Sequence, residues 1–393
     1  MSDVPLPTDV LARILSRLPV RSLLRFRSVS KSFHALIDSP YLINLHLNHS
    51  AKSNSHLNLM FGGDRSLSYL NLDSPTNTVT KIDNPLYFAI FETVVLGACN
   101  GVLCLCTTEP DNEVAFWNPV VRKFKKVRLS PAKCIEGYGR GICIKGYGYD
   151  HVNDEYKVVR LVQYRDLFNE IVHSSLEVYG TKRDGWREVE GGFPYHVCYR
   201  RNFNVFCNGC LHWLVSKKPD RKLGYMIVEF DLVTDELRLI VGPEFGDGNV
   251  RVSLGVLGGC LCVVCNDPKM VDVWIMKGFG DKKTWIKLIS SVDVKLVLDL
   301  DFLRPIVYSK SGREVLLEKN FERLYWYDLE NKTVKRLKVK GMPRLFISEV
   351  FNASLVQVKI GSESGSGKKK VKVETKNEKK RDDFLSKGFR LVL

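Results

Sequence analysis

Val114-Ala115-Phe116-Trp117-Asn118-Pro119-Val120-Val121-Arg122-Lys123-Phe124 reads as two strands joined by a short polar break. Apolar and aromatic residues fill the first arm, Asn118-Pro119 interrupts it, and basic residues mark the second. The phrase recurs downstream. Leu176-Glu177-Val178-Tyr179 leads to Gly185-Trp186-Arg187-Glu188-Val189, and Ile227-Val228-Glu229-Phe230-Asp231 leads through Thr234-Asp235 to Glu236-Leu237. Val271-Asp272-Val273-Trp274 is followed by Thr284-Trp285-Ile286-Lys287-Leu288, and Leu324-Tyr325-Trp326-Tyr327-Asp328-Leu329 by Thr333-Val334-Lys335-Arg336-Leu337. A more apolar pair of strands precedes each copy, among them Gly101–Cys106, Ile142–Tyr149, Cys207–Val215 and Gly255–Cys265. Turn chemistry separates the arms at Asn100-Gly101, Asp184-Gly185, Asn208-Gly209 and Ser311-Gly312.

Units of four short strands at roughly 40–60 residues are the spacing of propeller blades. About six are expected, beginning near His56, Thr93, Gly141, Phe203, Val252 and Pro305. A last strand within Phe346–Ile360 then returns to complete the first blade, because ring closure removes exposed sheet edges. A pair of stacked sheets is the alternative. The propeller-like domain is assigned to residues 56–360.

Residues 1–47 have a different period. In Leu6-Pro7-Thr8-Asp9-Val10-Leu11-Ala12-Arg13-Ile14-Leu15-Ser16-Arg17-Leu18-Pro19, the apolar positions recur at steps of one, three and four, as on one face of a helix. Pro7 suits the first turn and Pro19 the end. A second short helix is expected over Arg21–Arg27 and a third from the N-cap Ser30 to Pro40. The polar stretch Leu45–Ser55 reads as the exit from this three-helix unit. The fold class is therefore α+β by segment, with three small helices preceding a mainly-β propeller. Forty residues cannot bury so many large side chains alone, so the helices either pack on the propeller or dock on another protein.

Of the 393 residues, 45% are hydrophobic and 10% aromatic, as in a folded globular protein. No apolar run reaches the length of about 20 residues that spans a bilayer, so no membrane span is expected. Met1-Ser2-Asp3 does not open a signal peptide, which points to a cytoplasmic and nuclear protein. The eleven cysteines sit mostly in apolar strand-like runs. Cys207/Cys210 and Cys262/Cys265 have zinc-like spacing, yet they adjoin strand patterns and read as core, so no metal is assigned. Net charge is +15, of which +5 comes from residues 361–393 with ten Lys/Arg against five Asp/Glu. Arg122–Lys126 and Lys332–Lys340 alternate with apolar residues, as solvated strand faces do.

Chemistry-bearing motifs do not emerge. Gly361–Lys369 lacks the first glycine and the final hydroxyl of a phosphate loop, and Gly137–Gly141 fails the dinucleotide-binding spacing. His212, between Leu211 and Trp213, reads as a strand residue. No catalytic residue and no cofactor is assigned. Segment 361–393 reads as a basic flexible tail, and Lys368-Lys369-Lys370-Val371-Lys372 is either a nuclear import signal or a solvated run. Its apolar end comprises Phe384, Leu385, Phe389, Leu391, Val392 and Leu393.

Leu6-Pro7, Asp9-Val10, Ile14-Leu15, Arg17–Val20, Ser22–Arg27, Val29, Lys31, Phe33 and Leu36-Ile37 together closely resemble the F-box, although many plant members have cysteine and tryptophan where this chain has Ser28, Ser30 and Phe33. Gly97–Leu105, Trp117–Lys123 and Gly146–Asp150 with Asp154–Arg160 are similar to the plant type-1 F-box-associated domain. These resemblances imply the substrate-recognition subunit of an SCF ubiquitin ligase. Its partners would be a Skp1-like adaptor, cullin-1 through that adaptor, and a target protein; nucleic acid is not among them. The Skp1-binding face would comprise Leu6, Pro7, Val10, Ile14, Leu15, Leu18, Pro19, Leu23 and Val29. Target contact is expected from the aromatic and basic loops carrying Tyr195, Tyr199, Arg200, Arg201, Lys217 and Lys218. Val271–Lys277 and Arg381–Leu393 resemble a member that restrains plant immunity, which implies a nucleotide-binding leucine-rich-repeat immune receptor as target. Two rivals stand beside this: a basic propeller binding nucleic acid, and a hydrolase using the central channel.

Overall fold

Helix α1 spans Thr8–Leu15, α2 Val20–Phe26, α3 Lys31–Ile37 and α4 Pro40–Ser53. They belong to a computed structural model that describes residues 6–53, 57–63, 66–74, 76–86, 93–107, 113–128, 141–166, 171–198, 204–217, 224–243, 250–267, 269–278, 284–291, 293, 296 and 298–359. Pro7 and Pro19 precede α1 and α2, and the Ser30 hydroxyl caps α3 by accepting from the Phe33 amide at 3.1 Å. The expected count of three is corrected to four. Pro40 opens α4 instead of only closing α3, since the first helical turn tolerates a residue without an N–H. The inward face of α4 is Leu42, His46 and Ser50, four apart. Two of those three are polar, so the stretch looked like an exit loop.

Strands follow in chain order. The first blade holds β1 (Leu57–Gly63), β2 (Ser66–Asn71) and β3 (Thr80–Ile82). The second holds β4 (Thr93–Cys99), β5 (Val102–Thr107), β6 (Glu113–Asn118) and β7 (Lys123–Arg128); the third β8 (Ile142–Asp150), β9 (Glu155–Arg165), β10 (Ile171–Gly180) and β11 (Gly185–Glu188). The fourth contains β12 (His196–Val197), β13 (Val205–Cys207), β14 (Cys210–Ser216), β15 (Met226–Asp231) and β16 (Leu237–Ile240). The fifth contains β17 (Arg251–Leu257), β18 (Cys260–Asp267), β19 (Met270–Lys277) and β20 (Thr284–Ser291). The sixth contains β21 (Leu303–Tyr308), β22 (Glu314–Lys319), β23 (Arg323–Asp328) and β24 (Val334–Leu337), and β25 (Ile347–Asn352) ends the series.

These strands form six antiparallel sheets, a six-bladed propeller. β25 pairs with β1, Phe351 opposite Asn58 and Glu349 opposite Met60, so the chain's last strand completes the first blade. The strand stops at Asn352; residues 353–359 continue without regular structure. Blade four has a divided inner position, with β12 and β13 pairing successive parts of β14.

Six hydrophobic clusters sit between neighbouring blades, one for each junction. Leu103, Ala115 and Trp117 pack with Met60, Leu67 and Phe351 between blades one and two, and Phe116 faces Tyr147 and Tyr179 between two and three. An inner blade strand is thus buried on both faces, and β5 is buried at every residue while the outer strand β7 is exposed at five of six. That is the physical origin of the repeated apolar-then-basic phrase. Asn100 and Gly101 take φ of 53° and 77°, and Asn208 and Gly209 φ of 51° and 81°, the left-handed backbone of a tight hairpin turn. Cys262 and Cys265 project from opposite faces of β18 into different clusters, so the two cannot ligate one ion.

Candidate functional site

Helix α1 is apolar on two sides. Ala12 and Leu15 turn inward and meet Val20, Leu23, Ile37 and Leu42 in the helices' own core. Val10 and Ile14, one turn apart, face outward at 42% and 48% exposure, and Leu6 extends their line at 61%. Val29, between α2 and α3, is 68% exposed. Phe26 is also exposed, its ring 6.2 Å from that of Phe33. Of the nine residues expected on the docking face, Leu6, Pro7, Val10, Ile14, Pro19 and Val29 are exposed and Leu18 is half-buried. Leu15 and Leu23 are corrected: both are buried in the intramolecular core and hold the platform. Helical periodicity alone cannot tell which apolar side faces its own molecule. Phe26 and Tyr41 are further large exposed side chains of the helical segment, outside the nine residues expected on the docking face.

The exposed line lies among cations. Arg13, Arg17, Arg21, Arg25 and Lys31 are all exposed, while Arg27 is paired with Asp38 at 2.6 Å. Such a surface suits a partner that brings an apolar groove edged by acidic residues.

Beneath the helices, Val120, Val121, Ala353 and the buried Leu355 pack into the same cluster as Leu15 and Leu23. Arg21 reaches Tyr69 on β2, its guanidinium donating to the phenol oxygen at 2.6 Å. The helices therefore rest on one rim of the propeller, the rim formed by turns 100–101, 119–122, 208–209 and 258–259. Tyr195 and Lys217 lie at the other rim. The register His196↔Ser216 sets them side by side. Lys217 is exposed; Tyr195 is partly buried against Phe193, and its carbonyl accepts from Gln163 at 2.7 Å. Tyr199, Arg200, Arg201 and Lys218 lie outside the described residues, as does segment 361–393.

Each blade contributes its inner strand to a central channel. A cavity of about 540 Å³ opens toward the helices and includes Ala51 of α4 in its wall. A smaller one of about 80 Å³ faces the opposite rim and is lined by Lys145, Tyr225 and the parallel-stacked pair Phe302 and Phe321. Leu96, Asn204, Val205, Arg304 and Glu349 border both. There Arg304 Nη2 donates to Glu318 Oε2 at 3.0 Å and to the Ser348 carbonyl, and Arg304 Nη1 lies 3.7 Å from Glu349 Oε2. The Ser348 hydroxyl donates to Glu318. Burial pushes the Glu349 carboxyl above its ordinary 4.5, against the pull of Arg304. For Arg304, burial opposes the charge, and Glu318 with Glu349 more than offsets it. The network joins β21 and β22 to β25, the seam where the ring closes. Among the described lining residues the channel has one carboxylate, Glu349, and no histidine. No helix of the described residues is long and apolar enough to cross a membrane.

Comparison with known proteins matches the F-box domain to residues 5–45 and the F-box associated beta propeller domain to residues 57–364. The chain is 34% identical over 414 residues to F-box protein CPR1 of Arabidopsis thaliana, covering 99% of each chain. A second F-box protein of Arabidopsis thaliana is 32% identical over 403 residues, with 98% of this chain and 99% of the relative covered. An F-box/kelch-repeat protein of the same plant is 30% identical over 327 residues, covering 80% of this chain and 85% of its own.

Proposed function

The chain belongs to the F-box proteins that carry an F-box associated β-propeller, and from that premise we propose that it is the substrate-recognition subunit of an SCF ubiquitin ligase. The observation that carries the proposal is the line Leu6, Val10 and Ile14, left open on helices whose other side is locked to the propeller. That line, with Pro7, Pro19 and Val29, enters a groove of a Skp1-like adaptor, which links the chain to cullin-1. The propeller holds the target at the opposite rim, where Tyr195 and Lys217 lie. The chain acts by proximity: a target lysine is held beside a ubiquitin-charged conjugating enzyme borne by the rest of the complex. In this mechanism the chain itself contributes no catalytic group.

The similarity to F-box protein CPR1, taken with the resemblance of Val271–Lys277 and Arg381–Leu393 to a member that restrains plant immunity, supports a nucleotide-binding leucine-rich-repeat immune receptor as target. The chain then restrains plant defence by sending that receptor to degradation, in cytoplasm and nucleus. Co-purification of the full chain with a Skp1-like adaptor tests the assignment. Charges at Val10→Asp and Ile14→Asp sit on a face destined for burial, so the double variant should fold and lose the adaptor. Failure of the folded wild type to retain adaptor and cullin overturns the proposal.

A further inference from the structure

Asn118 stands at the polar break of the repeated phrase, and it is 2% exposed. Its amide nitrogen donates to the Ser354 carbonyl at 3.0 Å, the Ser354 hydroxyl at 3.1 Å and the Val356 carbonyl at 2.9 Å. Its oxygen accepts from the Val120 amide at 3.0 Å and from that of Val121 at 3.4 Å. One side chain therefore ties the β6–β7 turn to the strap 353–359 that follows the closing strand. Gly101 admits the strap closely: a Cβ there would stand 2.3 Å from the Ser354 hydroxyl and 2.5 Å from the Asn352 carbonyl.

The segments that Asn118 joins are those on which the F-box rests. Val120 and Val121 from the turn, and Ala353 and Leu355 from the strap, enter the cluster of Ala12, Leu15, Val20, Leu23, Ile37 and Leu42. Val356 and Val358 pack into the cluster between blades two and three. Successive strap residues thus serve the two bodies in turn, Leu355 the helices and Val356 the propeller. The Arg21–Tyr69 hydrogen bond adds a second tether on blade one. A helical unit held at two blades, through buried contacts on its inward side, has one orientation on the ring.

We infer that Asn118 and Leu355 are positioning residues for ubiquitin transfer, fixing the angle between the adaptor-bound F-box and the target-bearing rim. The inference rests on the ligase proposal above. Neither residue touches the adaptor line or the target rim, so loosening the mount leaves both binding events and alters where lysines are presented. Transfer depends steeply on that geometry, since misplacement by about 1 Å can cost up to two orders of magnitude in rate.

The test uses the full chain reconstituted with a Skp1-like adaptor, cullin-1, its RING subunit, conjugating enzyme and ubiquitin, with the chain's own lysines as acceptors mapped by mass spectrometry. Wild type should modify a restricted set of lysines. Asn118→Ala and, separately, Leu355→Ala should keep the adaptor, raise hydrogen exchange across residues 353–359, and slow modification of the preferred lysines roughly tenfold while spreading it to others. Unchanged hydrogen exchange in β8–β22 shows that the propeller stays folded, and Leu355→Ala, which leaves the Asn118 clamp in place, guards against simple misfolding. A loosened strap with an unchanged lysine map and rate overturns the positioning role alone. A wild type that binds no adaptor overturns the ligase proposal beneath it.

Discussion

Asp150 and Lys157 show how a single residue pair can join two blades. The Asp150 carboxylate accepts from the Val152 and Asn153 amides at 3.0 and 2.9 Å, from the Asn153 side chain at 2.8 Å, and from Lys157 Nζ at 2.6 Å. Lys157 also donates to the Leu232 carbonyl of blade four at 2.5 Å. Both side chains are buried, at 0% and 6% exposure. Burial pushes the Asp150 carboxyl upward, but the Asn153 and Lys157 bonds outweigh it and hold it below its ordinary 3.8. Folding therefore releases a proton from this group at low pH. Its stabilisation is full above 3.8 and disappears as pH falls through the lower folded value. Asp150→Asn removes the nearer carboxylate from the buried Lys157 ammonium, leaving it Glu155 at 3.7 Å and the Leu232 carbonyl, and is expected to cost about 3 kcal/mol at neutral pH. Urea unfolding at a series of pH values checks both points: the gap between wild type and variant should be widest at neutral pH and close below pH 3.8. A gap that stays constant down to that limb removes the ion pair as its cause.

At the scale of an element, α1 places opposite outcomes on adjacent residues. Ile14 is half exposed and Leu15 is 3% exposed, against Val20, Leu23 and Ile37. Ile14→Ala should change stability by no more than about 0.5 kcal/mol, whereas Leu15→Ala should cost about 2–4 kcal/mol by opening a cavity. Thermal unfolding of the two variants, with adaptor retention read beside it, separates them: the first should lose adaptor and keep its melting temperature. Equal losses of stability would mean that the helix does not present two distinct faces. What sequence revealed about such elements follows from physics. The period of α1, the Ser30 cap and the Asn-Gly turns depend on nearest neighbours, so they were legible. Helix α4 was not, because its buried face includes His46 and Ser50, and the His46 imidazole is within hydrogen-bonding distance of the Leu18 carbonyl, at 3.1 Å, 28 residues away. The mount at Asn118 was equally hidden: its partners at 354 and 356 lie over 230 residues on.

For the whole molecule, the decisive contact is the strand pairing with the greatest sequence separation. β25 pairs with β1 along residues 347–352, and Arg304, Glu318, Ser348 and Glu349 stitch that seam from within. The six-blade count was readable from the repeat because each blade buries the same two faces against like neighbours. The closing strand within Phe346–Ile360 was legible too, because an open ring would leave β1 with an exposed edge; the side chains that stitch the seam were not, since they come from strands far apart in the chain. Without β25, β1 presents an unpaired edge, and the cluster of Leu57, Leu59, Phe61, Ile306 and Phe346 loses its partner strand. A chain ending at residue 346 should therefore form no closed ring and associate through its open edge. A chain ending at residue 359, which retains strand and strap, is the matched control. Size-exclusion chromatography with calorimetry distinguishes them: one cooperative transition and a monomer for the longer chain, broad unfolding and larger species for the shorter. If both behave alike, closure by β25 contributes little, and the interblade clusters alone hold the ring. If they differ, the strand that closes the propeller also delivers the strap on which the F-box stands, so ring closure and F-box orientation are set by one continuous segment, 347–359.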